Sequence, residues 1–88
     1  MGKTVKNMKV HEFVKIKAKE GNEYITVYNE MSGEIVRINN LTGTAEINLD
    51  HFSIKKIEAI NLENNRRFTI LPTIPLNYLE KVDRFLII

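Results

Sequence analysis

Residues 34–49 read EIVRINNLTGTAEINL, and this stretch decides the fold. Ile35, Val36 and Ile38 stand before Leu41-Thr42-Gly43, and Ala45, Ile47 and Leu49 stand after it. Apolar, often β-branched residues on either side of a small-residue turn predict a strand over 34–40, a turn at 41–43 and a second strand over 44–49. Gly43 suits the turn because it tolerates backbone angles that other residues avoid.

The pattern extends outward in both directions. Upstream, Met31-Ser32-Gly33 reads as a turn. Before it, residues 10–19 alternate, with Val10, Glu12, Val14, Ile16 and Ala18 on one face and His11, Phe13, Lys15, Lys17 and Lys19 on the other. Gly21-Asn22 then reads as a two-residue hairpin turn, with residues 23–29 returning as a strand. Downstream, Asp50-His51-Phe52-Ser53 reads as a tight turn or single helical turn, with Asp50 as its cap. Residues 56–62 and 67–71 read as two further strands joined by a loop at Glu63-Asn64-Asn65. Pro72 and Pro75 break the pattern, and Leu76, Leu79, Val82 and Leu86 recur at helical spacing. A short amphipathic helix over 75–83, begun by Pro75, and a closing strand over 85–88 complete the reading.

The expected fold is mainly β: a small antiparallel β-barrel, SH3-like or related, of five to seven short strands with one short C-terminal helix. Residues 1–8 form a flexible basic arm and 9–88 a single small domain, since 88 residues are too few for two. An apolar last strand would cover a sheet edge in its own chain or in a second copy, which makes a homodimer an expectation as well. The stretch from Gly33 to Ile60, with Ile54, Ile57 and Ile60 at three-residue spacing, resembles the cadence of SH3-like and Sm-like small barrels. It is also similar to the C-terminal half of YolD-like bacterial proteins. The resemblance covers about a third of the chain and rests on alternation, so no family's activity is carried over.

Composition removes several chemistries. The absence of cysteine excludes disulfides, thiolate catalysis and cysteine-zinc sites. His11 and His51 are the only histidines, too few to make a zinc site without several carboxylates, so neither a metal nor a cofactor is expected. Asp50, His51 and Ser53 belong to a hydrolase alphabet, but neighbours in one tight turn seldom converge on one substrate atom. Gly2-Lys3-Thr4 lacks the preceding strand and glycine of a phosphate loop. The chain is read as a non-enzyme. No secretory pattern and no membrane-length apolar run is present, so the expected location is cytoplasmic. Isoleucine, asparagine and lysine make up 31 of 88 residues, a bias toward AT-rich codons that suggests a bacterial or phage source.

Charge is uneven. Residues 1–19 carry +5 and the remainder −3, within a net +2. On the expected first hairpin, Lys15, Lys17 and Lys19 share a solvent face with Tyr24 and Tyr28, and Arg37 extends it. Cations for phosphates and flat rings for bases are the ingredients of single-strand nucleic-acid binding. The same residues also suit an ordinary solvated strand face, where tyrosine packs over lysine stems. The expected function is therefore a non-catalytic binding module, with nucleic acid and a protein partner nearly tied. In the second case an edge strand or the C-terminal helix would make the contact, through Leu79, Val82 and Phe85, in the manner of a small phage-type inhibitor or adaptor.

Overall fold

The computed structural model describes residues 8–82. Five strands form one antiparallel sheet: β1 (Phe13–Ile16), β2 (Ser32–Asn39), β3 (Thr44–Leu49), β4 (Thr73–Pro75) and β5 (Leu79–Lys81), in the order β4-β3-β2-β1-β5. A four-residue helix, α1 (Glu23–Thr26), lies between β1 and β2, and a 14-residue helix, α2 (His51–Asn64), between β3 and β4. The architecture is thus mainly β with one full-length helix. β4 and β5 stand at opposite ends of the order, so the described strands form an open sheet and not a closed barrel.

The hairpin of β2 and β3 forms where the alternation places it. Ile35 pairs with Ile47, Ile38 with Ala45 and Asn39 with Thr44. Asn39 folds the turn: its side-chain oxygen accepts from the N–H groups of Leu41 (2.9 Å) and Thr42 (3.3 Å), and Gly43 takes a φ of +68°. A bulge between Ile35 and Arg37 turns Val36 and Arg37 outward together.

Period-two burial continues across the sheet. Val14, Ile16, Ile35, Ala45, Ile47, Leu49, Ile74 and Leu79 are buried on one face, and Tyr28, Met31, Ile57 and Phe68 join them in a single core. Gly33 lies where β3 crosses close to β2. A Cβ there would stand 2.8 Å from both the Ile47 Cγ2 and the Leu49 Cα, so no larger residue fits without backbone movement.

Five expected elements take other forms. The strand over 10–19 shortens to Phe13–Ile16, because His11 (φ 81°) makes a left-handed turn in which the Lys9 N–H bonds the Glu12 carboxylate at 2.8 Å. Its expected hairpin partner over 23–29 is α1 and a following turn. Asn22 acts as a helix N-cap, its side chain accepting from the Tyr24 N–H at 2.7 Å, and β1 pairs with β2 and β5 instead.

The expected strand over 56–62 lies inside α2. Asp50 accepts from the Ser53 N–H at 2.8 Å to begin that helix, and Ile54, Ile57 and Ile60 turn one side of it toward the core. Asn65 ends it in the left-handed conformation, with φ 52°. Residues 67–71 follow without regular structure. In place of the helix over 75–83 there is a single 3-10 turn, Leu76–Tyr78, followed by β5. The open edge of β1 captures that segment, Leu79 pairing with Ile16, and the sheet pairing overrides a weak helical spacing. The expected closing strand over 85–88 and the basic arm up to residue 7 lie outside the described residues.

Candidate functional site

The lysines and tyrosines expected on one face are separated. Lys15 and Lys17 stay on the solvent side of β1 and its extension, and both reach the carboxylate of Glu30, at 3.2 and 3.1 Å. Hydrogen bonds from Lys17 and then Lys15 hold the Glu30 carboxyl below the usual carboxylate range. Lys19 is exposed and has no ion pair among the described residues. Tyr24 sits on α1, 66% exposed, while Tyr28 is buried at 2%. The Tyr28 hydroxyl donates to the Thr69 carbonyl at 2.5 Å, and burial pushes its ionisation upward. Arg37 projects from the bulge, 3.9 Å from Glu46.

The expected protein-contact set is equally dispersed. Leu79 is fully buried in β5. Val82 is half-buried and donates its N–H to the Phe13 carbonyl at 3.0 Å. Phe85 lies outside the described residues. Asp50 and Ser53 serve the start of α2, and the Ser53 hydroxyl also accepts from the Ser32 N–H at 3.0 Å. The His51 ring packs beside Phe52, with centroids 6.1 Å apart. Among the described residues no group of three or more His, Asp or Glu side chains is placed to hold a metal, and no helix is long and apolar enough to cross a membrane.

What the fold does assemble is an aromatic groove between α1 and the segment leading into β4. Tyr24, Phe68, Arg67, Thr69, Pro72 and Thr73 line it, with Tyr28 beneath, around a volume of about 300 Å³. The Phe68 ring receives the Tyr24 ring edge-on at 5.9 Å and the Tyr28 ring at 6.5 Å. The Arg66 guanidinium lies 5.5 Å from the Phe68 centroid and pairs with Glu23 at 2.6 Å.

The irregular backbone of this groove is pinned from two sides. Asn61 of α2 accepts from the Phe68 N–H at 2.8 Å and donates to the Phe68 carbonyl at 3.0 Å, imitating one step of a strand ladder. The Tyr28 hydroxyl holds the next residue, Thr69. A second cleft, of about 440 Å³, opens on the solvent face of β2, β3 and β4 near the hairpin turn, lined by Arg37, Asn39, Thr42, Thr44, Glu46 and Thr73. Its hydroxyls include Thr42 and Thr44, 2.7 Å apart.

No family model, curated protein or solved structure matches the chain. The site is defined by its own geometry.

A reading of 56–62 and 67–71 as two strands does not single out Phe68, Arg66, Arg67 or Asn61 as a site. The signal that finds them is the helical spacing of Ile54, Ile57 and Ile60 after an Asp50 cap. A helix ending at Asn65 returns residues 66–69 along its own last turns, where Asn61 meets Phe68.

Proposed function

We propose that this domain is a non-catalytic binding module that takes an extended segment of a protein partner into the Tyr24–Phe68–Pro72 groove and along the adjoining edge of β4. One observation carries the reading. Ile70 and Leu71, 46% and 44% exposed, follow one another in the chain between Thr69 and Pro72 of the groove, just before β4 at the end of the described sheet. Consecutive exposed apolar residues beside a strand edge that has no partner among the described residues are what a protein ligand covers. The pinned backbone adds support, because a groove ordered before binding avoids part of the ordering entropy on association.

A nucleic-acid ligand has weaker electrostatic support. Lys15 and Lys17 share one carboxylate, Arg66 pairs with Glu23, and Lys81 pairs with Glu12 at 3.3 Å. Phosphate binding draws on unneutralised cations, and these are scattered. The setting we propose is the cytoplasm of a bacterium or of a phage-infected cell, in keeping with the cysteine-free, AT-biased composition.

The test is selection from a random peptide display library on the full chain, followed by affinity measurement on Tyr24→Ala. Enriched peptides should lose about tenfold in affinity, because an exposed tyrosine anchor is removed without disturbing the core. Failure to enrich any peptide contradicts the reading. So does binding of single-stranded oligonucleotides that falls steeply with salt and is lost on replacing Lys15, Lys17 and Lys19 by serine.

A further inference from the structure

The groove and the polar cleft share one lining residue, Thr73 of β4. We infer that they form a single track across the β4 edge, and that its occupant is an extended peptide carrying an acidic side chain at the Arg67 end. This rests on the reading of the domain as a protein-binding module, and it states the partner's chemistry.

Charge complementarity assigns the two ends. Arg67 is exposed, lines the aromatic groove, and has no ion pair among the described residues, whereas its neighbour Arg66 is held by Glu23. A guanidinium beside exposed aromatic surface matches a carboxylate flanked by apolar side chains. The far end differs. Arg37 and Glu46 face each other there at 3.9 Å among threonine hydroxyls, so donors and acceptors are mixed and near-neutral. That end suits an uncharged polar side chain and the peptide backbone, not a second carboxylate.

The edge between the two ends limits backbone pairing. β4 has three residues, and Pro75 has no N–H to offer an added strand. Thr73, exposed on that strand, is where the peptide passes from one cleft to the other. Side-chain contacts at the two ends, and not a long ladder, therefore set specificity.

The experiment uses the full chain and display-selected peptides of about ten residues, long enough when extended to span both clefts. Enriched peptides should carry Asp or Glu at a fixed position. Changing that acid to its amide, or Arg67→Ser in the protein, should each weaken binding about fivefold, and the two together no more than either alone. Arg37→Ser should weaken the full peptide but not a version cut short of the hairpin-end cleft. Peptides that bind and respond to Tyr24→Ala, yet show additive acid and Arg67 effects and no response to Arg37→Ser, overturn this inference and leave the binding module standing. Absence of any enriched peptide overturns both.

Discussion

The hairpin of β2 and β3 and the segment from Arg66 to Pro72 hold their backbones by different means. In the hairpin the ladder pairs residue with residue, and Ile35, Ala45 and Ile47 anchor it from below. The segment has no regular structure: backbone bonds hold its ends, from the Arg66 N–H to the Asn61 carbonyl and from the Ile47 N–H to the Pro72 carbonyl, and the side chains of Asn61 and Tyr28 fix its middle. A ladder built on a core resists any single polar change. A pinned segment can be loosened locally by one, and a groove formed from such a segment combines order with the capacity to adapt to a ligand.

Four perturbations test this contrast, beginning with the strongest. Ile47→Ala removes a fully buried side chain at the centre of the hairpin and should destabilise the whole domain by about 3 kcal/mol in urea unfolding. Asn61→Ala leaves the Phe68 N–H and carbonyl without their partner. It should cost about 2 kcal/mol, with hydrogen exchange accelerated at Phe68 but not at Ile35 or Ile47. Exchange rising equally in both regions would show that the segment and the hairpin open as one unit.

Tyr28→Phe keeps the buried ring and removes only the bond to the Thr69 carbonyl. Because Thr69 is exposed and water can replace the lost donor, the change should be about 1 kcal/mol or less. The smallest effect concerns Glu30. Its folded-state ionisation lies below the ordinary carboxylate value, so the contribution to stability is present above the unfolded pKa and lost as pH falls through the folded one. Carboxyl NMR should place the Glu30 midpoint below that of an unpaired glutamate. Lys17→Gln should raise it more than Lys15→Gln, and added salt should narrow the difference.

The same contrast explains what the sequence made legible. Ala45, Ile47 and Leu49 obey a two-residue period that no helix satisfies, Ile35 and Ile38 match it across the one-residue bulge, and Gly43 after Asn39 marks the turn, so this hairpin follows largely from residue order. Residues 23–29 and 56–62 are short and apolar, and there the two periods compete. Asn22 suits a hairpin turn and a helix cap equally, and the cap forms. The Asp50 cap was legible, but the length of the helix it begins was not.

The groove was least legible. Asn61 meets Phe68 and Tyr28 meets Thr69 only through tertiary packing, and local pattern does not encode such contacts. The lysine–tyrosine face failed as a geometric expectation for a related reason. Once residues 23–26 become helical, Tyr28 turns into the core and Glu30 comes to lie against Lys15 and Lys17.

The most direct test of the account is an amide-resolved NMR titration of the full chain with a display-selected peptide, run in parallel with a single-stranded oligonucleotide. The account predicts that the peptide shifts Tyr24, Arg67, Phe68, Thr69 and Thr73 while the Lys15–Lys19 amides stay in place, and that the oligonucleotide shifts neither group at physiological salt. Peptide shifts confined to other surfaces, or oligonucleotide shifts centred on Lys15, Lys17 and Lys19, would contradict it.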